Sequence, residues 1–132
     1  MNRSRAFLLV VGAVFLPVFA IPLFVDPYWW AERFSWDTGP ETDLGVYFGR
    51  CLGAVAIAVA GTALAASRAP GRNRAIFTVL GVAGVLLALV HLRGLIDDSQ
   101  PLVEHLETIG YAAFAGLAFW CRPPVEPQAQ LS

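Results

Sequence analysis

The sequence predicts an all-α fold, a four-helix transmembrane bundle, and three observations support it. Of the 132 residues, 57% are hydrophobic and only 14% are charged, far from the average soluble domain. The apolar residues form four stretches, each close to the roughly 20 helical residues that cross a hydrocarbon core about 30 Å thick. The loops between them alternate in charge. We therefore predict one membrane domain, residues 1–122, with spans at about 6–25, 41–67, 75–93 and 101–121.

The loop charges also predict the orientation. All nine cations are arginines, and those at Arg3, Arg5, 68–74 and Arg122 flank the same predicted side of the membrane. The opposite loops are mainly acidic. Because arginine in short loops stays in the cytoplasm, we predict a cell-membrane protein with both termini cytoplasmic. The proline-rich tail 123–132 is predicted to be disordered in the cytoplasm.

Span one and the loop after it contain helix-breaking and helix-starting signals. Pro17 and Pro22 each remove an internal hydrogen bond, so the helix should kink, either to pack around its neighbours or to line a cavity. The apolar run continues past a possible signal-peptide cleavage site, which predicts a retained anchor. Asp26 and Pro27 then provide N-cap and first-turn signals. Three of the four tryptophans follow, predicting a short interfacial aromatic helix, with a lid over a cavity as the alternative.

Span two carries a glycine stripe, defined here as Gly45, Gly49 and Gly53. Small residues at four-residue spacing let two helix backbones approach closely in lipid. The partner is predicted to be another span of this chain or a second protomer. The turn at 68–74 contains Pro70-Gly71, which predicts that spans two and three are antiparallel neighbours.

The few ionisable residues within the spans define the predicted site. Counting 1.5 Å per residue from the cytoplasmic boundary places Glu107 about 20 Å up, His91 about 25 Å and Arg50 about 27 Å. Charged groups at that depth pair with each other or face a cavity. We predict a buried polar layer in which Arg50 pairs with Glu107 and His91 hydrogen-bonds to the pair. Glu104 and Tyr111 share the helical face of Glu107.

Three alternatives treat this layer as structural. Arg50 would extend its guanidinium to the headgroups, or the ion pair would only lock the outer half of the bundle. In the third, Glu104, His105 and Glu107 only mark a fourth span that starts late. Cofactor chemistry has weaker support in the sequence. His91 and His105 are the candidate axial ligands of a haem, but His105 is rotated about 200° from Glu107, so the two cannot both face inward. We predict no resident cofactor and no metal site.

Three short motifs begin or end the later spans: Gly49-Arg50-x-x-Gly53, His91-x-x-Gly94, and Pro101 with Glu104-x-x-Glu107. In these motifs, and over most of residues 6–122, the chain resembles the DoxX-like group of small four-span bacterial membrane proteins. The resemblance implies a four-span fold more than it implies an activity.

Two classes of function remain open. The first is a binding or accessory protein, which holds an apolar ligand beneath the polar layer or docks on a larger membrane complex. The alternative is a membrane enzyme that uses Glu107 or His91 as an acid or base on a lipid-soluble substrate. The predicted partners are the lipid bilayer, an apolar small molecule, and a membrane protein or a second copy of the chain. No nucleic-acid partner is predicted.

Overall fold

The computed structural model describes the backbone of residues 2–97 and 102–124 and the side chains of residues 2–97 and 106–124. Every regular element in these ranges is helical. In chain order they are α1 (Arg3–Phe15), a π-helical segment (Leu16–Ala20), α2 (Ile21–Val25), α3 (Pro27–Arg33), α4 (Asp43–Ala66), α5 (Arg74–Ile96) and α6 (Leu102–Cys121).

The long helices begin and end within three residues of the predicted spans. Three are long and apolar enough to cross a membrane, over Arg3–Val25, Asp43–Ala66 and Arg74–Ile96. The segment Leu106–Cys121 of α6 is a shorter apolar helix. Large apolar side chains cover the exterior, and in Val90 and Ile109 the exposed fractions reach 64% and 71%. An apolar surface of this extent is suited to lipid. The chain is therefore a membrane protein.

The prolines of span one produce a π-helical turn. The amide of Ile21 donates to the carbonyl of Leu16, five residues earlier, which is the π spacing. The ring of Pro22 would clash with the carbonyl of Val18 in a regular α-helix, and Pro17 has no amide to donate. The helix therefore widens here and continues into α2. The predicted interruption is present, in the form of a π bulge.

The predicted short helix in the following loop is also present, as α3. The Asp26 carboxylate accepts a hydrogen bond from the amide of Trp29 at 3.0 Å and so caps the helix. Trp30 then turns back towards span one. Its ring lies 4.8 Å from that of Phe19 and 4.7 Å from that of Phe34, measured between centroids. The loop is thereby packed against the end of the bundle, which we call the α3 end.

The helices pack as two pairs. Span one packs along α4, and α5 packs along α6; the pairs meet through contacts of α1 with α6 and of α4 with α5. The core lies at the opposite end of the bundle, the terminal end, where Leu8 and Phe77 are fully buried. There the Ser4 hydroxyl donates to the carbonyl of Cys121 at 2.6 Å. The two pairs are thus joined most firmly at the terminal end.

The glycine stripe packs against this chain's own span one and α3. A Cβ atom at Gly53 would lie 2.5 Å from the backbone nitrogen of Phe24, and one at Gly49 would collide with the ring of Pro27. At Gly45 the neighbour is the hydroxyl of Tyr28. The stripe is therefore occupied internally. It is not a free surface for docking on a larger complex.

Adding a methyl group to the stripe should weaken the fold. We expect Gly53→Ala to lower the free energy of unfolding by about 1–3 kcal/mol, because the new Cβ overpacks against backbone. Gly61→Ala in the same helix is the matched control, since a Cβ there meets nothing within 4 Å. The control should leave stability unchanged or raise it by up to about 1 kcal/mol. Reversible unfolding in mixed detergent measures both, and equal effects at the two glycines would contradict the packing.

Candidate ligand-binding site

The packing of α5 on α6 brings His91 and Glu107 together. The Nε2 atom of His91 lies 3.7 Å from a carboxylate oxygen of Glu107. Close approach of the two backbones makes this possible. A Cβ atom at Gly84 would lie 3.1 Å from the backbone nitrogen of Ala115. Gly84 and His91 are seven residues apart and share one face of α5. Glycine on this face thus lets the short His91 side chain reach α6.

Tyr111 completes the cluster. Its ring stacks on that of His91, with centroids 5.0 Å apart and planes at 27°. It lies one turn after Glu107 on the same face of α6. His91 is buried, whereas the side chain of Glu107 retains 29% of its exposure. We call His91, Glu107 and Tyr111 the polar cluster. It unites three of the five residues of the predicted layer.

Arg50 does not belong to the cluster, and the predicted Arg50–Glu107 ion pair is not formed. Glu107 pairs with His91, while Arg50 is exposed on the far side of α4. The reason is rotational. The glycine stripe fixes α4 against span one, and the half-exposed Leu52 lines an apolar cavity between the helix pairs. Arg50 lies about 200° from Leu52 at 100° per residue, so it points outward. Arg50 was predicted at about the same depth as His91 and Glu107, but the direction of its side chain keeps it out of their polar layer.

Two residues named in the sequence predictions, Glu104 and His105, have side chains that the structure does not describe. Glu104 and His105 lie within α6, but their side chains are outside the described part of the structure, as are Pro101 and the tail 125–132. The haem alternative at His91 and His105 therefore stays a prediction. Among the residues with described side chains, no three His, Cys, Asp or Glu residues lie together in a group that suits a metal ion.

An apolar cavity of about 300 Å³ lies between the helix pairs, beside the polar cluster. Its wall comes from span one, α4, α5 and α6, and Tyr111 belongs to both the wall and the cluster. Apart from Tyr111, the wall is entirely apolar: Val11, Phe15, Phe19, Leu52, Val55, Ala56, Val59, Ala60, Leu80, Ala83, Leu86, Leu87 and Phe114. Such a space suits the body of a small lipid-soluble molecule.

A side pocket next to this cavity is lined in part by Glu107. It has a volume of about 290 Å³ and shares Phe15, Tyr111 and Phe114 with the cavity wall. Glu107 and Gly110 form the rest of its lining. Since Gly110 has no side chain, it leaves room between span one and α6. The Glu107 carboxylate therefore lies close to the cavity, next to side chains that line both spaces.

Aromatic rings cover the cavity towards the α3 end. Phe15 contacts Phe19 at 5.0 Å between centroids, and Phe19 contacts Trp30 of α3 at 4.8 Å. The π-helical segment contributes Phe19, so the proline-induced bulge supplies part of the wall. The cavity-lining phenylalanines could not be identified from the sequence, because aromatic residues in an apolar span carry no signal of which face they occupy. Pro17 and Pro22 indicated only that the helix is interrupted in this segment.

Searches with protein-family models, curated proteins and solved structures found no match to this chain.

The polar cluster can be tested by double-mutant cycles of stability. His91→Ala and Glu107→Ala should couple by about 0.5–1.5 kcal/mol, because each removes the other's partner. Arg50→Ala combined with Glu107→Ala is the control, and its coupling should lie within about 0.5 kcal/mol of zero. Free energies of unfolding in detergent give both values. If the Arg50 cycle gives the larger coupling energy, Arg50 and Glu107 form the ion pair that the sequence predicted, and the polar cluster is wrong.

Proposed function

We propose that this chain is a four-span binding protein of the cell membrane that holds an apolar small molecule in the cavity between its helix pairs. One observation carries the proposal: an apolar space that reaches all four long helices lies directly beside a group of three polar side chains. Ligand sites commonly combine an apolar wall with a few convergent polar groups that fix orientation. Candidate ligands are lipid-soluble molecules, which dissolve in the bilayer and can enter the protein from it.

The polar cluster indicates the chemistry of the ligand. A carboxylate accepts hydrogen bonds, and a neutral imidazole both donates and accepts. A hydroxyl or carbonyl group on an otherwise apolar body therefore matches Glu107 and His91. A charged ligand does not match the cavity wall, because no polar side chain other than Tyr111 lines it. We infer a ring-containing or chain-like lipid-soluble molecule with one polar end.

The four-span topology and the orientation form part of the proposal. Helix α6 has 20 residues, enough to cross a bilayer with the other three long helices. The arginine-rich turn favours cytoplasmic termini. Membership of the DoxX-like group is consistent with this topology and is proposed from the three motifs and the general architecture.

A membrane enzyme is the second candidate. It is favoured by the contact of His91 with Glu107, a carboxylate that lines the side pocket and could exchange a proton with a molecule bound there. Docking on a larger complex is less well supported, because span one and α3 fill the glycine stripe.

Photo-crosslinking tests occupancy of the cavity. A long-chain alcohol carrying a diazirine near its polar end should label wild-type protein at Phe15, Tyr111 or Phe114. Ala56→Phe and Ala83→Phe each fill the cavity, so labelling should fall about tenfold, as for a loss of roughly 1.4 kcal/mol in binding free energy. Ala113→Phe, on the exposed face of α6, is the matched control. Unchanged labelling in both filled variants would refute the site.

The same assay separates binding from polar recognition. Glu107→Gln should weaken binding of the alcohol about tenfold, while a diazirine alkane of equal length binds variant and wild type alike. If the alcohol also binds both equally, the polar cluster has no part in recognition. Loss of both probes would indicate a purely structural role for Glu107.

Cysteine labelling tests the orientation, starting from a Cys51→Ser background that removes the exposed native thiol. In intact cells, a membrane-impermeant maleimide should label Asp37→Cys in the loop after α3 and spare Gly71→Cys. Permeabilised cells should label both. The reverse pattern would place the arginine-rich turn outside and contradict the orientation.

A further inference from the structure

We propose that a groove on the outer face of α4 binds the headgroup of a phospholipid that carries both a phosphate and a primary amine, such as phosphatidylethanolamine. The groove has a volume of about 630 Å³ and shares no lining residue with the cavity. Its polar lining is Glu41, Asp43, Tyr47, Arg50 and Cys51. The site is thus independent of the proposed ligand cavity.

Arg50 provides the phosphate-binding group. It is exposed and has no hydrogen-bond or ion-pair partner among the residues that the structure describes. It lies seven residues into α4, about 10 Å below the start of the helix. A guanidinium that close to the hydrocarbon requires an anion or water. Planar bidentate binding of phosphate is the interaction for which arginine is best suited.

The carboxylates of the groove provide the hydrogen-bond acceptors for the amine of the headgroup. Asp43 lies on the same stripe of α4 as Tyr47 and Arg50, at i, i+4 and i+7, and therefore directly above the guanidinium. Glu41 precedes it at the same mouth. A primary ammonium has three N–H donors for these acceptors. The quaternary ammonium of a choline headgroup has no N–H donor, and the glycerol of phosphatidylglycerol has no positive charge to pair with the two carboxylates.

The lower part of the groove is apolar and suits an acyl chain. It is formed by Phe24 of span one and Ala54 of α4, whereas Val46 lies on the wall between Asp43 and Arg50. Close packing at Gly53 fixes the Phe24 backbone against α4, so the two walls are held together. From the mouth downwards the groove is acidic, then cationic, then apolar. An aminophospholipid presents its ammonium, phosphate and acyl chains in that order.

Native mass spectrometry of the full chain in detergent tests this site. The protein is mixed with equimolar phosphatidylethanolamine, phosphatidylcholine and phosphatidylglycerol of identical acyl chains. Wild type should retain phosphatidylethanolamine preferentially. Arg50→Gln should reduce that adduct about tenfold, as expected for loss of a charge-assisted hydrogen bond. Asp43→Asn should reduce the preference for phosphatidylethanolamine over phosphatidylcholine while keeping a phospholipid bound.

Arg93→Gln is the matched control. Arg93 is also an exposed arginine near the α3 end, but it pairs with Asp97 at 2.6 Å and lies outside the groove. Its adducts should equal those of wild type. Equal retention of the three lipids by wild type would overturn the proposal without any variant, even if Arg50→Gln fails to fold. Preferential retention of phosphatidylglycerol would overturn the ammonium assignment, and unchanged binding in folded Arg50→Gln would overturn the phosphate assignment.

Discussion

Close approach of helix backbones at glycine is the constraint on which this structure depends. Lipid is as apolar as the side chains of a transmembrane helix, so burial of apolar surface adds little to helix association, and van der Waals packing must hold the bundle together. Glycine permits that packing at several crossings. Gly12 lies against Leu64, Gly53 against Phe24 and Gly84 against Ala115. Each contact fixes both the spacing and the rotation of the helices that it joins.

Rotation decides which polar residues meet. The glycine face of α5 turns His91 towards Glu107 and Tyr111, and the glycine stripe of α4 turns Arg50 away from them. The cavity follows from the same pairing. Span one belongs with α4 and α5 with α6, and the core that joins the two pairs lies at the terminal end. Beyond that core, towards the α3 end, the space between the pairs is lined by apolar side chains and closed by aromatic rings.

Much of the fold could be predicted because its signals are local. Two prolines in one helix predict an interruption, Asp26-Pro27 predicts a helix start, and glycines at four-residue spacing predict a close contact. The polar cluster was predictable in part, because counting rises along each helix gives the depth of a residue. Depth placed His91 and Glu107 correctly at one level, and it placed Arg50 there too. The rotation of α4 about its axis is what directs Arg50 away from His91 and Glu107.

That rotation was partly available from the sequence. Arg50 follows Gly49 immediately, so it lies about 100° from the face that packs against span one. If the glycine stripe is taken as the face of α4 that packs against span one, the helical geometry predicts that Arg50 points outward. A cavity beneath the polar layer was among the alternatives, but its walls could not be predicted, because they depend on how four helices leave space between them. Phe15, Phe19 and Phe114 resemble every other apolar residue of their spans until the helices are assembled.

An apolar space beside His91, Glu107 and Tyr111 separates the two helix pairs, and the proposed function depends on it. An experimental density map of the protein purified from its native membrane tests it most directly. We expect a cavity, or density for a bound molecule, between Phe15, Leu86 and Phe114, with Arg50 directed outward. Side chains that close this space, with Arg50 turned inward onto Glu107, would contradict it.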